Sequence, residues 1–216
     1  MSAFACFANV PFCDFDRIDF LKNDVYFLTT KTTIINNYCL KHHNIRTKTD
    51  PSTGVKQVKF DVLFGPAYKG ISLGAVVSGA LYAHYGVSVG FSYNRKEAKV
   101  HGEGGVLVGA EMKDKEILVV DDVITAGTAI RESYTLLQSI QANVVGVVIA
   151  LDRAEKRSLD DPISAVQAVA RDLRLPVVSI VNLPQLQTFL KVSPNYDSDV
   201  LQSVSDYRAE YGVESD

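Results

Sequence analysis

The chain has 216 residues, 47% of them apolar and 22% charged, with 22 basic and 25 acidic side chains for a net charge of −3. A chain of this length buries roughly 70% of its unfolded surface and needs no metal or disulfide to hold a core; its composition excludes a disordered or collagen-like chain. The slight acidic excess gives no support to broad electrostatic binding of nucleic acid, although a local basic cluster can still hold phosphates.

The first 40 residues carry no assignable pattern. The start is apolar, but its first positive charge is Arg17, so a signal peptide is not expected. Cys6, Cys13 and Cys39 are odd in number and form no CxxC, which reads as free thiols in a reducing compartment, the cytoplasm. Residues 42–59 are polar, with Asp50-Pro51-Ser52-Thr53-Gly54 as a turn, and read as a linker or exposed loop.

Short β-branched runs at residues 60–64, 87–93, 117–120, 144–151 and 176–181 are nearly continuous in apolar character, as strands covered on both faces are. Residues 70–94 contain no Asp, Glu, Lys or Arg. Five glycines, four serines and His84 interrupt that stretch, so it reads as a helix, a stop at Gly86 and a strand rather than a membrane span. Ile130, Tyr134, Leu137 and Ile140 recur at helical spacing. Ile163, Val166, Val169 and Ala170 do the same, with Arg171 and Arg174 favouring that helix's C-terminus. Val200, Leu201, Val204, Tyr207 and Tyr211 mark a last amphipathic helix. This alternation predicts an α/β fold, a mostly parallel twisted sheet flanked by helices, with ligands along the edge where strands end.

Four segments fall on that edge. The strongest is Asp121-Asp122-Val123-Ile124-Thr125-Ala126-Gly127-Thr128-Ala129, directly after the apolar run of residues 117–120. Two carboxylates end a strand, and a loop with Thr125, Gly127 and Thr128 opens a helix whose free N–H groups and dipole favour an anion. A bare phosphate would be repelled by the two carboxylates. A ribose 5-phosphate would not: its hydroxyls donate to Asp121 and Asp122 while its phosphate rests on the loop. The chain holds no GxxxxGK[ST] or GxGxxG, so the usual nucleotide loops are excluded.

The second segment runs from Asn94 through Arg95, Lys96, Lys99 and His101 to Gly102, Gly104 and Gly105. Its cations and glycines predict a flap loop that closes over a polyanion such as pyrophosphate. The third, Gly65-Pro66-Ala67-Tyr68-Lys69-Gly70, is a strand end, a tight turn and a helix start, where Lys69 can meet a second phosphate. The fourth is Asp152-Arg153, where Arg153 either pairs with a substrate carboxylate or forms a salt bridge to Asp152 or Glu155.

The Asp121–Ala129 stretch resembles the phosphoribosyl-pyrophosphate (PRPP) motif of the type I phosphoribosyltransferases. Together with FGPAYKG, NRKEAK-x-HGEGG and ALDR, it makes the chain similar to the orotate phosphoribosyltransferases from about residue 60 to 211. The resemblance implies transfer of the phosphoribosyl group of PRPP to N1 of orotate. The products are orotidine 5′-monophosphate and pyrophosphate, with Mg²⁺ held mainly by PRPP and water. It implies that Asp121, Asp122, Val123, Ile124, Thr125, Ala126, Gly127, Thr128 and Ala129 hold the ribose and its 5-phosphate. Tyr68, Lys69, Arg95, Lys96, Lys99 and His101 then meet the pyrophosphate, and Thr125 and Arg153 meet orotate. Lys99, His101, Asp121 and Asp122 are the implied catalytic residues. A cytoplasmic homodimer follows, each flap reaching the neighbouring site, with neither nucleic acid nor membrane as a partner.

The chain departs from the family's pattern in two places. Val100 stands where the family typically has Asp before the flap histidine. Residues 1–57 lack the family's LKSGRxSPYFFN-like segment, and Lys31 with the Tyr26-Phe27 pair are the nearest in type but in reversed order. Residues 1–57 are therefore set apart from a phosphoribosyltransferase domain at 58–216. A second reading stays open beside the enzyme: a weak or inactive PRPP-binding chain that pairs with an active subunit.

Overall fold

The computed structural model describes residues 47–49, 56–99, 105–157, 162–192 and 198–213. Its main body is a six-stranded sheet in the order β5-β4-β3-β6-β7-β8, formed by β3 (Val62–Gly65), β4 (Gly90–Lys99), β5 (Gly105–Gly109), β6 (Glu116–Val123), β7 (Asn143–Asp152) and β8 (Val177–Asn182). Every neighbouring pair is parallel except β4 with β5. Helix α1 (Lys69–Tyr85) crosses from β3 to β4, α2 (Thr128–Ser139) from β6 to β7, and α3 (Ala165–Leu173) lies between β7 and β8. Helices α4 (Leu183–Val192) and α5 (Ser198–Tyr211) follow.

Apolar residues alternate between the two faces, as the pleat requires. Phe64, Ile117, Val119, Val147 and Ile149 pack with Ile130 and Leu137 of α2 and with Val166 and Val169 of α3. Leu63, Leu118, Val120 and Val148 face the other way, against Leu73, Val77 and Leu81 of α1. Burial on both faces is why the strands read as continuous apolar runs. Val145 is one extra residue in β7: Ile117 pairs with Val144, but Leu118 pairs with Gly146. This bulge resets the phase so that Val144 and Val147 share a face. Leu137 is fully buried, and its truncation to Ala would cost about 2–5 kcal/mol.

The five expected strands and the helix–stop–strand reading of residues 70–94 are present. Gly86 ends α1 in the left-handed conformation (φ 64°), its N–H reaching the carbonyls of Leu81 and Tyr82. Two expectations need correction. Residues 42–59 are not simply a loop: β1 (Thr47–Thr49) and β2 (Lys56–Val58) pair antiparallel, Thr47 opposite Val58. Polar composition hid two short β-capable runs flanking the turn. Residues 94–99 are likewise not loop but the far half of β4, which pairs with β5 through Lys99 and Gly105 after a register shift. Charged side chains masked a strand whose pairing is set by its partner, not by periodicity. Helix α4 was not anticipated, and Ile163 lies just before α3, which Ser164 caps. Cys6, Cys13, Cys39 and the Tyr26-Phe27 pair lie outside the described residues.

Candidate active site

The chain winds from β3 outward to β4 on one side and from β6 outward to β7 on the other. The crevice between the ends of β3 and β6 is therefore the topological switch point, where open α/β sheets bind ligands. Residues after β3 and β6 meet across it.

The turn after β3 folds tightly on itself and onto β6. A Cβ on Gly65 would lie 2.0 Å from the Gly70 carbonyl oxygen, and one on Gly70 would lie 2.9 Å from that of Val120. Only glycine fits such approaches. The peptide between Ala67 and Tyr68 is cis. The Ala67 N–H donates to Asn94 Oδ1 at 2.9 Å, which ties the turn to β4. Tyr68 is exposed, and Lys96 Nζ stands 4.7 Å from its ring centroid, a cation–π contact. Lys69 Nζ donates to Asp122 Oδ2 at 2.6 Å. This bond, and then the charge of Asp122, holds the Lys69 ammonium above its ordinary pKa.

Strand β6 carries the two carboxylates in its last three residues, before Val123 ends it. Asp121 Oδ1 accepts from the Asp122 N–H at 2.9 Å. Burial pushes the Asp121 carboxyl up to about 6, against the lowering effect of that hydrogen bond. Ile124 is buried and anchors the loop, while Thr125 and Ala126 are exposed. Gly127 caps α2 at φ 78°, with no side-chain cap and no acidic residue in the helix's first turn. Helix α1, at the other side of the crevice, also lacks both. Helix α3, which does not follow β3 or β6, carries a full capping box from Ser164 and Gln167. The two helices at the switch point thus present uncapped N-termini, suited to an anion.

The cleft has a volume of about 630 Å³, and Asp121, Thr125, Thr128, Arg95 and Lys96 line it. Val123, Ile124, Gly127 and Ala129 line it too, so the structure brings the loop and two flap cations together. Arg95 and Lys96 also line a smaller pocket of about 370 Å³ with Tyr68. Lys99 ends β4; the expected role of its side chain and all of His101, Val100, Gly102 and Gly104 lie outside the described residues.

Arg153 follows β7 on the same sheet edge, in register two residues beyond the Val123–Leu151 pair. It makes the salt bridge to Glu155, Nη2 to Oε2 at 2.9 Å. Asp152 is held back in the turn, its Oδ1 accepting from the Ala154 N–H at 2.8 Å, and burial raises its pKa.

Two residues that frame this site have no role assigned by the sequence reading. One is Asn94, the anchor of the Ala67 turn. The other is Arg131. Its Nη1 donates to the Ala126 carbonyl at 2.9 Å and its Nη2 to Asp172 Oδ2 at 2.9 Å. Helical side chains lean toward the N-terminus, so a residue one turn inside α2 reaches back to the loop. That spacing was the available signal.

Residues 52–170 match the family described as phosphoribosyl transferase domain. The chain is 50% identical over 156 residues to the orotate phosphoribosyltransferase of Vibrio atlanticus, covering 72% of this chain and 71% of that one. It is 53% identical over 157 residues to that of Chromobacterium violaceum, covering 73% and 71%. The solved orotate phosphoribosyltransferase of Francisella tularensis superposes at a TM-score of 0.60 and 32% identity, over 83% of this chain and 99% of that one. With its switch-point cleft built from the same segments that carry the resemblance, the chain belongs to the orotate phosphoribosyltransferases, within the phosphoribosyl transferase domain family.

Proposed function

We propose that the switch-point cleft binds PRPP and that the chain carries out its family's reaction there, as a cytoplasmic homodimer with Mg²⁺. The reaction is transfer of the 5-phosphoribosyl group from PRPP to orotate, a step of pyrimidine biosynthesis. Orotate N1 gives an electron pair to C1 and releases its proton. The bond from C1 to pyrophosphate breaks, and pyrophosphate leaves with that bond's electrons. Positive charge develops on the ribose ring and negative charge on the leaving group.

The observation that carries the reading is one cleft lined by the Asp121 carboxylate and the uncapped N-terminus of α2, with the uncapped start of α1 tied to the neighbouring Asp122 through Lys69. The 5-phosphate lies on Thr125 to Ala129, and the ribose hydroxyls donate to Asp121 and Asp122. Lys69, Arg95 and Lys96 face the pyrophosphate, with Lys99 and His101 completing the arm. Each well-placed donor at such a leaving group contributes about 3–4 kcal/mol of transition-state stabilisation. Orotate lies between Thr125 and Arg153.

The residues fit Mg²⁺ of the kind that arrives on a polyphosphate. Asp121 and Asp122 are hard oxygen donors, and Asp122 is already engaged by Lys69, so most of the coordination would come from phosphate and water. The ion supplies charge neutralisation for the leaving pyrophosphate.

The outer face of α1 supports the homodimer. Val76, Tyr82 and, just past the helix, Val87 are exposed, and residues 70–94 carry no Asp, Glu, Lys or Arg. The cytoplasmic reading rests on the free-thiol pattern. No helix among the described residues is long and apolar enough to cross a membrane.

The test is loss of orotate absorbance on adding PRPP and Mg²⁺ to the purified full chain. Turnover that requires all three components is expected. PRPP raising the melting temperature without any turnover would replace this reading with that of an inactive PRPP-binding chain.

A further inference from the structure

We propose that Tyr207, on the C-terminal helix α5, is a positioning residue that keeps Arg153 open to the carboxylate of the base by dividing the Glu155 carboxylate. The proposal rests on the reading of Arg153 as the orotate residue.

Glu155 is held from two sides. Its Oε2 accepts from Arg153 Nη2 at 2.9 Å. Its Oε1 accepts a short hydrogen bond from the Tyr207 hydroxyl. Among the described residues the Arg153 guanidinium is thus engaged at one corner, and its buried Nε has no hydrogen-bond partner.

That arrangement is unusual for these groups. A carboxylate beside a guanidinium gains most by pairing through both oxygens, fork to fork. Glu155 does not, because Tyr207 occupies its second oxygen. Burial and the Glu155 carboxylate push the Tyr207 hydroxyl up to about 12, so it stays a donor across the working range. Were the hydroxyl removed, Glu155 could turn and take both arms of Arg153. A substrate carboxylate would then have to displace it.

The backbone makes this contact a fixed one. Glu155 forms an antiparallel bridge with Gly212. The Lys156 N–H donates to the Tyr211 carbonyl and the Val213 N–H to the Ala154 carbonyl, both at 2.9 Å. Ala154 sits at φ 51°, a left-handed turn that a residue with a Cβ adopts only under such constraint. Residues 211–213, directly after Tyr207's helical turn, therefore lie alongside the segment that carries Arg153. Helix α5 is in turn fastened to α4 by Gln187 Nε2 to Ser205 Oγ at 2.7 Å and Arg208 Nη1 to Gln187 Oε1 at 2.6 Å. The Tyr207 ring packs on the apolar cluster of Leu183, Leu190 and Val204. Ring and hydroxyl thus do separate jobs, and Tyr207→Phe removes only the second.

The experiment compares Tyr207→Phe with Arg153→Ala in the full chain. Steady-state kinetics are measured with orotate and PRPP, and inhibition with uracil, the same ring without the carboxylate. In Tyr207→Phe the KM for orotate should rise about tenfold. The KM for PRPP, kcat, the uracil inhibition constant and the melting temperature should stay close to wild type. A merely structural role for Tyr207 would shift the PRPP and uracil values or the melting temperature along with orotate, and that result overturns the proposal. An unchanged orotate KM in Tyr207→Phe, with a raised one in Arg153→Ala, also overturns it while leaving the reading of Arg153 intact. An unchanged orotate KM in Arg153→Ala removes that reading and the proposal together.

Discussion

Lys69 Nζ and Asp122 Oδ2 stand 2.6 Å apart, tying the first residue of α1 to the end of β6 across the switch point. The lysine side chain is 71% exposed. An ion pair in that setting contributes about 0–1 kcal/mol to stability. Its consequence is positional: a cation is parked at the edge of the cleft, within reach of a phosphate that would compete with Asp122 for it. Lys69→Met should move the melting temperature by a few degrees at most. It should lower kcat/KM for PRPP at least tenfold, about 1.4 kcal/mol of transition-state stabilisation. Steady-state kinetics beside a thermal melt check this, and an unchanged kcat/KM removes Lys69 from the site.

Asp121 gives the protein two pH dependences of opposite sign. Burial pushes its pKa up to about 6 in the fold, against about 3.9 in an unfolded chain. The fold therefore favours the protonated carboxyl. That contribution to stability is present below about pH 4 and is lost as pH rises through about 6. Asp121→Asn should accordingly raise the melting temperature at pH 7 and change it little at pH 4. Activity runs the other way, since the ribose hydroxyl needs an ionised acceptor. The kcat/KM for PRPP should fall as pH drops below about 6, and the limb should be missing from the residual activity of Asp121→Asn.

The contrast between these two residues and the rest of the site explains what the sequence disclosed. Asp121, Asp122 and the loop to Ala129 sit within one strand–loop–helix unit, so local chemistry and spacing were enough to find them. The sheet was legible because its central strands are covered on both faces. What was missed depends on partners distant in sequence. Residues 94–99 look like a charged loop, yet they pair with β5. Asn94 matters only because Ala67 comes to it. Arg153 illustrates the same limit: the alternative salt bridge to Glu155 was foreseen, but the role of Tyr207 in dividing that carboxylate was not, because 52 residues separate them. The short β1–β2 pair was hidden by composition, since a polar ladder has no apolar period to read.

Arg131 engages the Ala126 carbonyl oxygen through its Nη1. A carbonyl oxygen free to turn toward a phosphate would oppose it, so holding this one by a guanidinium favours a loop whose N–H groups serve the ligand. The close approach also fixes the identity of Gly127, whose added Cβ would lie 2.5 Å from Arg131 Nη1 and 2.4 Å from Val169 Cγ2. Arg131→Met should raise the KM for PRPP several-fold and leave that for orotate nearly unchanged. Asp172→Asn should do less, because Arg131 keeps its bond to Ala126 while losing only the charge of its second partner. Equal effects of the two variants on PRPP would assign the role to the ion pair rather than to the carbonyl.

The homodimer is tested by dividing the site between two inactive chains. One carries Lys99→Ala on the β4–β5 arm; the other carries Asp121→Asn and Asp122→Asn on the loop. Each alone should be nearly dead. If the arm crosses to the neighbouring subunit, a hybrid dimer contains one site with an intact loop from one chain and an intact arm from the other. Random exchange makes half the dimers hybrids, and each hybrid has one good site, so about a quarter of wild-type activity should return. The mixture must first be shown to exchange, for example by co-purification of chains carrying different tags. Exchange without recovered activity would mean that Lys99 serves the site of its own chain, and the outer face of α1 would then need another explanation for its lack of charge.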